Sequence, residues 1–370
     1  MVQKIKIEQF LEISGQHPVL DVRSPGEYIH AHIPGAYSLP LFSDEERKVV
    51  GTAYKQQSRQ TAIKIGLDYF GVKMRKMVEE VEQLTAEKWL MAEKKPIKNN
   101  PQQSANTVLI HCWRGGMRSG GVAWLLDLYG FKVYTLEGGY KTYRKWVRDQ
   151  FERPCEMTVL GGYTGSAKTG VLHYVKQAGS TVIDLEALAH HKGSAFGALG
   201  ELKQPTQEMF ENLLGQELNC LKNSLDQHAF IEDESQRIGQ LKIPDPFWVT
   251  MRKSPVCFLY IPFEERLDYL TNDYGKYEKE QLVNAIIRIQ KRLGGLETKT
   301  AISFLLDDNY KDCFRILLKY YDKWYSKGLL NRDNLDGLLH KISCDTIDVK
   351  ANAEKVLHEV KRMITAKVNS

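Results

Sequence analysis

The 370-residue chain is predicted to form two α/β domains, each built on a parallel sheet, with a helical region at the C-terminal end. Three observations support this fold class. The order strand, glycine-rich loop, helix occurs twice, at 107–129 and at 157–175. Apolar segments at 182–184 and 256–261 then alternate with helical patterns, which is typical of a doubly wound sheet. The chain is long enough for each domain to bury its own core.

The composition is that of an ordinary soluble protein, with 42% hydrophobic and 26% charged residues. No apolar run is long enough to span a membrane, and the first ten residues do not form a signal peptide, so we expect a cytoplasmic protein with no membrane partner. The six cysteines are scattered, which favours free thiols over disulfides or a metal site. A net charge of +5 permits a polyanionic partner without requiring one.

The first domain is expected over residues 1–150. Residues 1–42 predict a helix, a strand and a loop, and residues 43 to about 100 predict a helical insertion that ends in a loop at 96–104. Within the insertion, one helix face is predicted through Ile65, Tyr69, Val72, Lys76 and Glu79. Strands at 107–110 and 132–136 and a helix ending near Phe151 follow, and Arg153-Pro154 marks the expected domain boundary.

The loop after the 107–110 strand is predicted to surround an anion. Loop N–H groups, the N-terminus of the next helix and Arg118 would converge on Cys112 and favour its thiolate, the nucleophilic form. A buried, inert cysteine is the alternative, but two arginines and two glycines within six residues are poor core material. Cys112 is therefore the predicted catalytic residue. The predicted anion-binding residues are Arg114, Gly115, Gly116, Met117, Arg118 and Ser119.

A second segment adds a family resemblance. Residues 20–28 (LDVRSPGEY) and 32–36 (HIPGA) resemble the N-terminal hallmark of rhodanese-type sulfurtransferases, and with the Cys112 loop they cover both ends of one rhodanese-like domain. Five residues separate Cys112 from Arg118, one more than in small rhodaneses. This wider loop resembles the Cdc25-type phosphatases, which share the rhodanese fold, and it would fit a tetrahedral oxyanion better than a bare sulfur atom.

The second domain is expected over residues 155–370. Its first strand, 157–160, runs into residues 161–169 (GGYTGSAKT), which match the phosphate-binding P-loop. By this match, Lys168 is the lysine that contacts the phosphates, and Thr169 is the expected ligand for Mg²⁺ that accompanies a diphosphate. No tightly bound cofactor is expected. The predicted diphosphate-binding residues are Gly162, Thr164, Gly165, Ser166, Ala167, Lys168 and Thr169.

Ala167 departs from the P-loop pattern, which has glycine before the lysine. A methyl group there could crowd a phosphate against the backbone or could disfavour dihedrals that glycine allows. Either effect is expected to weaken diphosphate binding.

Four residues are predicted to support the phosphate loop: Asp184 and Glu186 after the strand at 182–184, Ser194 in a glycine-flanked loop, and Glu232 near the end of a strand. The pair His190-His191 invites a zinc interpretation. Adjacent histidines on a helix point in different directions, so a polar loop role is favoured.

The region from Glu264 onward is predicted to be mostly helical. Basic and aromatic residues are interleaved there, a combination that suits RNA, since lysine meets phosphates and rings meet unstacked bases. Acidic residues are interleaved as well, so a solvated helix face is at least as good an interpretation from the sequence.

The order and joining of the two motifs resemble the tRNA 2-selenouridine synthase family over nearly the whole chain. Membership implies replacement of sulfur by selenium at C2 of a wobble 2-thiouridine in tRNA, with selenophosphate as donor and a prenyl step that uses geranyl diphosphate. The resemblance implies that the Cys112 loop binds selenophosphate or carries selenium, with Arg114 and Arg118 neutralising the anion. The P-loop would hold the diphosphate, with Lys168 as the main electrostatic group.

Two other functions remain open from the residues alone. One is a Cdc25-like phosphatase or a sulfurtransferase coupled to a nucleotide-binding domain, which predicts turnover of an aryl phosphate and of ATP. The other is a non-catalytic sulfur carrier, which predicts binding without turnover.

Overall fold

The computed structural model describes residues 1–92, 106–222 and 227–368. The chain divides into two compact units, Met1–Asp149 and Gln150–Ser370. The loop predicted at 96–104 lies outside the described residues.

The first unit is built on a sheet of five parallel strands with helices between them. The strands are β1 (Gln3–Ile5), β2 (Val19–Asp21), β3 (Tyr37–Ser38), β4 (Thr107–His111) and β5 (Lys132–Leu136). The helices are α1 (Ile7–Ser14), α2 (Pro25–His30), α3 (Asp44–Gln56), α4 (Arg59–Gly71), α5 (Met74–Ala92), α6 (Met117–Tyr129) and α7 (Gly139–Phe151). The strand order is β1-β5-β4-β2-β3, so β4, which leads into Cys112, is central.

The helical insertion divides differently from the sequence prediction. The single helix face predicted through Ile65, Tyr69, Val72, Lys76 and Glu79 is wrong, because α4 ends at Gly71 and α5 starts at Met74. Glycine is a poor helix former, and the turn that follows leaves Val72 84% exposed. Residues 1–42 also hold β1, α2 and β3, whose two to six residues are too few to give a periodic signal.

The second unit is built on another sheet of five parallel strands, with a two-stranded antiparallel ribbon beside it. The sheet strands are β6 (Glu156–Gly162), β7 (Thr181–Ile183), β8 (His228–Glu232), β11 (Val256–Tyr260) and β12 (Leu339–Ser343), and the ribbon is β9 (Arg237–Ile238) with β10 (Leu241–Lys242). The sheet order is β12-β11-β6-β8-β7. The central strand β6 therefore carries the phosphate loop at its carboxyl end.

Ten described helices accompany this sheet. They are α8 (Lys168–Gln177), α9 (Leu185–Ala189), α10 (Gln207–Lys222), α11 (Asp245–Lys253), α12 (Phe263–Tyr274), α13 (Lys279–Leu293), α14 (Gly295–Leu306), α15 (Tyr310–Leu330), α16 (Leu335–Leu338) and α17 (Val349–Val368). Helices α12 to α15 enclose a core of their own, and a second core lies between the sheet and the helices α8 and α17.

The C-terminal region is not helical throughout, since β12 follows α16 and pairs in parallel with β11. The short strand carries three polar residues, His340, Lys341 and Ser343, which mask its pattern in the sequence. The predicted fold class, two α/β domains on parallel sheets with a helical C-terminal extension, is confirmed. Among the described residues no helix is both long and apolar enough to cross a membrane.

Candidate functional site

Cys112 directly follows β4 and begins the first glycine loop. Its side chain is 3% exposed, and its Sγ lies 3.2 Å from the hydroxyl of Ser119. Burial by itself would raise the pKa of this thiol. The Ser119 hydroxyl and the backbone N–H groups of Ser119, Gly116 and Arg114 stabilise the thiolate more strongly, so the pKa is lowered.

The other cysteines behave in the opposite way. Burial raises the pKa of Cys155 to about 11 and those of Cys257 and Cys313 to about 12, and it also raises those of Cys220 and Cys344. Cys112 is thus the one thiol of the six whose surroundings favour the nucleophilic form.

The shape of the cysteine loop depends on a second turn, at the start of α7. The backbone N–H of Tyr140 donates to the carbonyl of Cys112 at 2.9 Å, and that of Lys141 donates to Trp113 at 3.0 Å. Gly115 and Gly139 have φ of +64° and +61° and approach each other so closely that a Cβ on either would lie within 2.7 Å of backbone. Only glycine fits at both positions.

Arg118 is held by a carboxylate from the N-terminal segment. Its Nη1 donates to Glu27 at 2.8 Å, and Glu27 also accepts from the Nε of Arg47 at 3.0 Å. Burial raises the pKa of Glu27, but the hydrogen bond and charge of Arg118, the backbone N–H of Ser24 and the charge of Arg47 together outweigh burial, so the pKa is lowered. The guanidinium is therefore positioned at the loop by Glu27, a residue that the sequence motif contained but that we did not predict as part of the site.

The N-terminal motif is mostly structural. Arg23 and Asp21 form a buried pair, in which the guanidinium donates three hydrogen bonds to the carboxylate at 2.6 to 3.0 Å. The same guanidinium stacks 3.8 Å from the ring centre of Tyr140. His111 lies 3.7 Å from Asp21, and burial lowers its pKa to about 4, so it is neutral at pH 7. This cluster supports the turn that clamps the cysteine loop.

The remaining predicted residues of this loop are open to solvent. Arg114 and Gly116 are exposed, and the Met117 side chain is 54% exposed, with its sulfur 3.9 Å from the Nη2 of Arg59. Arg59 begins α4 in the helical insertion. The insertion thereby adds a further cation beside the loop, which suits an oxyanion of more than one negative charge.

The second glycine loop joins β6 to α8. Gly165 has φ of +83° and packs against Arg266 and Leu270, where a Cβ would lie 2.9 Å from the Arg266 carbonyl. Ala167 has φ of +51° and ψ of +35°, a left-handed conformation that costs a non-glycine residue about 1–2 kcal/mol. Of the two effects expected at Ala167, the disfavoured dihedrals are present.

Lys168 and Thr169 follow at the start of α8. The Lys168 ammonium donates to the carbonyl of Gly162 at 2.9 Å, and the Thr169 hydroxyl donates to Glu186 at 3.0 Å. Ser166 bonds within the loop to the Tyr163 carbonyl at 2.7 Å. The lysine is folded back over its own loop, so a diphosphate must draw the ammonium away from Gly162.

Carboxylates gather beside the loop. Glu186 and Glu234 share a hydrogen bond, and burial, followed by repulsion from Glu186, holds the pKa of Glu234 well above its usual range. Burial also raises the pKa of Glu186, although the Lys168 ammonium opposes this. The pair therefore retains a proton beyond the usual carboxyl range.

The other predicted acids anchor α9. Glu232 is 1% exposed and accepts from the backbone of Leu185 at 3.0 Å, and its pKa is well above the usual range because of burial and the nearby Asp184. Asp184 accepts from the backbone of Ala187 at 2.8 Å and caps α9. These two acids position Glu186, which contacts Thr169.

Helix α15 packs over the phosphate loop through residues that the sequence did not assign to that loop. The Tyr325 hydroxyl accepts from the Gly162 N–H at 3.1 Å and donates to Asp233 at 2.6 Å, and Arg332 pairs with Asp233. Arg266 bonds the Thr164 carbonyl at 3.0 Å and a carboxylate of α15. These contacts join residues that are far apart in the chain, so no local sequence pattern could have predicted them.

An apolar cleft lies next to the phosphate loop. It is narrow, with free space of about 10 Å³, which is roughly the room that one water molecule needs. The predicted residue Ser194 lies in its wall. The lining residues are Thr164, Ser194, Phe196, Leu270, Tyr274, Phe314, Leu317, Leu318 and Tyr321.

The two adjacent histidines have separate roles. His190 ends α9 in a left-handed conformation and lies 3.0 Å from the Lys203 carbonyl, while His191 is 8% exposed and packs against Gly197 and Gly239. In the described part of the chain, no three His, Cys, Asp or Glu residues are arranged to hold a metal ion.

Two family profiles match the chain. One is described as a rhodanese-like domain and matches residues 6–145. The other is described as the AAA domain of tRNA 2-selenouridine synthase and matches residues 155–336.

Relatives of one name match the chain over most of its length. The chain is 33% identical to the tRNA 2-selenouridine synthase of Bdellovibrio bacteriovorus over 90% of this chain and 94% of the relative. It is 37% identical to the protein of that name from Nitrosomonas europaea, over 70% of this chain and 63% of the relative. For the Aeromonas salmonicida protein of the same name the identity is 33%, over 85% and 88%. The resemblance found in the sequence is confirmed, and the chain belongs to the tRNA 2-selenouridine synthase family.

Proposed function

We propose that this protein is an enzyme that replaces sulfur by selenium at C2 of a wobble 2-thiouridine in tRNA. Selenophosphate supplies the selenium, and geranyl diphosphate supplies a prenyl group that activates the sulfur for departure. One observation carries the proposal: this member of the family has both a thiol with a lowered pKa, Cys112, and a separate P-loop. Such a chain works in the cytoplasm, where tRNA is modified.

The first step is S-geranylation at the phosphate loop. The thiocarbonyl sulfur attacks C1 of geranyl diphosphate, the C–O bond breaks, pyrophosphate leaves with the bonding electrons, and N3 of the base loses its proton. Lys168 leaves the Gly162 carbonyl and meets the diphosphate oxygens, so it stabilises the charge that develops on the leaving group. The backbone N–H groups of residues 164–169 surround the same anion.

The apolar cleft supports a prenyl donor over a nucleotide. Thr164 belongs both to the phosphate loop and to the cleft wall, so a hydrocarbon tail carried by a diphosphate would meet apolar side chains here, and it would have to widen the cleft to enter. A nucleoside would bring hydroxyl and amino groups against Phe196, Leu270 and Leu317, where they would lose hydrogen bonds to water.

A Mg²⁺ ion that accompanies the diphosphate would be held beside the phosphate loop. The Thr169 hydroxyl and the Glu186 carboxylate, 3.0 Å apart, are the oxygen donors that fit it. When bound, the ion neutralises charge on the diphosphate.

The second step takes place at Cys112. The thiolate attacks the phosphorus of selenophosphate, the P–Se bond breaks, and selenide leaves with the bonding electrons. Water then removes the phosphoryl group from the sulfur. The five-residue spacing to Arg118 and the loop N–H groups support a tetrahedral oxyanion at this position. The selenide attacks C2 of the geranylated base, the C–S bond breaks, and geranylthiol departs.

The test is nucleoside mass analysis of thiolated tRNA after incubation with the purified protein. Geranyl diphosphate alone is expected to give S-geranyl-2-thiouridine, and both donors together are expected to give 2-selenouridine. Unchanged tRNA under all conditions would refute the proposal. Turnover of an aryl phosphate or of ATP, with no change of tRNA, would favour the phosphatase alternative. The five residues between Cys112 and Arg118 are the observation that supports this alternative.

A further inference from the structure

The outer face of α15 presents an exposed aromatic ring between two cations. Trp324 is 40% exposed. The guanidinium of Arg292 lies 5.5 Å from its ring, and the ammonium of Lys327 lies 5.3 Å from it. Tyr320, one turn earlier on the helix, lies 6.3 Å from the same ring and within hydrogen-bonding reach of Arg292.

Further exposed cations lie on the same two helices. Lys319 and Lys323 lie on the same side of α15 as Lys327, and Arg288 and Lys291 lie on α13 with Arg292. We call this set the basic face of α13 and α15. Its members are Arg288, Lys291, Arg292, Lys319, Lys323 and Lys327, together with the aromatic residues Tyr320 and Trp324.

The charges of this face are not used to hold the fold. Across residues 1–92, 106–222 and 227–368, no ion pair includes any of its six cations. Other cations of α13 and α15 are paired: Lys279 with Asp308, Lys311 with Asp268, and Arg315 with Glu264. A cation without a carboxylate partner retains its full attraction for an external anion.

The basic face adjoins the phosphate loop through a single helix. Tyr325 and Ser326, which follow Trp324 in the chain, contact the loop at Gly162 and at the Tyr163 hydroxyl. A ligand seated on Trp324 is therefore close to the loop that carries Lys168.

We propose that the basic face of α13 and α15 is an RNA-docking surface of this protein, at which an unpaired base stacks on Trp324 and neighbouring phosphates meet Arg292 and Lys327. An unstacked base needs a ring, and a sugar-phosphate backbone needs unpaired cations. An acidic protein would be bound through the cations alone, and its binding would give the exposed indole ring of Trp324 no role. The inference rests on the proposed function, since it takes tRNA as the RNA.

The test measures binding of fluorescently labelled tRNA to the full chain between 50 and 200 mM salt. The double variant Arg292→Ala with Lys327→Ala is expected to bind roughly tenfold more weakly at low salt and to lower the slope of log K against log salt by about two. Trp324→Ala is expected to weaken binding by about 5- to 100-fold, and Trp324→Phe to restore most of it.

The matched control is Lys279→Ala with Lys311→Ala, which removes the same charge from the same two helices but from cations that are already paired. It is expected to leave binding within about twofold of the wild type. Equal losses in the control and in the basic-face variant would show an effect of net charge and would overturn the inference.

Two outcomes separate this inference from the proposed function. A wild-type chain that modifies thiolated tRNA, with basic-face variants that bind it equally well, would overturn only the docking surface. A wild-type chain that neither binds nor modifies tRNA would overturn the proposed function.

Discussion

The two glycine loops of this protein share a layout but are held in different states. Both follow a central parallel strand and open a helix. The loop of Cys112 has its N–H groups turned to the thiolate, and its cations Arg114 and Arg59 are exposed. In the second loop Lys168 bonds its own Gly162 carbonyl.

The difference shows that a sequence motif predicts the type of site but not which internal hydrogen bonds its residues make before a ligand binds. In the cysteine loop Arg114 and Arg59 are exposed, and Arg118 is already paired with Glu27. A ligand that engages Lys168 in the second loop would exchange its bond to the Gly162 carbonyl for one to the ligand, so part of the binding free energy would be used in rearrangement.

The largest effect is expected from removing the nucleophile. Cys112→Ala should lower formation of 2-selenouridine by about 10³-fold or more while leaving geranyl transfer near the wild-type rate, because only the first loop uses the thiolate. Nucleoside mass analysis measures both products. Cys257→Ala, which removes a buried thiol of raised pKa, is the control for losing a cysteine. Retained selenation in Cys112→Ala would remove the thiol from the mechanism.

Lys168→Ala should have the reverse pattern. Loss of the ammonium is expected to slow geranyl transfer by about 10²- to 10³-fold, since a charged donor to the leaving group is lost. Alkylation of Cys112 by iodoacetamide should not change. Lys176→Ala removes a cation from the end of the same helix and serves as the control. Unaltered geranyl transfer would show that the second loop binds no diphosphate in this step.

Ser119→Ala tests how the thiolate is stabilised. Removing the hydroxyl that lies 3.2 Å from Sγ is expected to raise the pKa of Cys112, so that alkylation at a pH below that pKa becomes about tenfold slower. The pH profile of iodoacetamide alkylation should shift to higher pH. Ser119→Thr retains a hydroxyl and should keep the wild-type profile. A profile that does not move in Ser119→Ala would assign the lowered pKa to the backbone N–H groups alone.

Tyr325→Phe tests the hold of α15 on the phosphate loop. Asp233 and the Gly162 N–H each lose a partner, so the free energy of unfolding is expected to fall by about 1–3 kcal/mol. Urea denaturation followed by circular dichroism measures this change. Tyr260→Phe, on a side chain that is 55% exposed, provides the comparison. Equal stability of Tyr325→Phe and the wild type would mean that water replaces the hydroxyl without cost.

Ala167→Gly should have the smallest effect. Glycine relieves the cost of about 1–2 kcal/mol that φ of +51° imposes on alanine, but the greater backbone entropy of glycine in the unfolded chain and the loss of a mostly buried methyl group offset most of this gain. Diphosphate affinity, measured by calorimetry, is expected to rise about twofold. Weaker binding would show that the methyl group supports the loop.

The sequence predicted the parts of the molecule that depend on local order. Both strand-loop-helix units lie close to their predicted places because a buried strand, glycines at fixed spacing and an amphipathic helix act within about twenty residues. The partners of these loops could not be predicted in that way. Glu27 lies 91 residues from Arg118, and Tyr325 lies 163 residues from Gly162. Such contacts arise from packing of whole elements, as does the pairing of β12 with β11.

The roles predicted for individual site residues remain predictions, but their placement sharpens them. Arg118 is oriented by Glu27, and Thr169 is already bonded to Glu186. Glu234, which the sequence analysis did not select, lies with Glu186 beside Lys168 and deserves the same tests.

The interlocked turns at Gly115 and Gly139 make the cysteine loop the joint product of two chain segments. Backbone touches backbone there, with no side chain between to absorb a change of sequence. Grafting residues 111–119 alone onto a foreign scaffold would therefore transfer the sequence of the loop without its backbone conformation. A functional transplant would have to carry residues 136–141 with it.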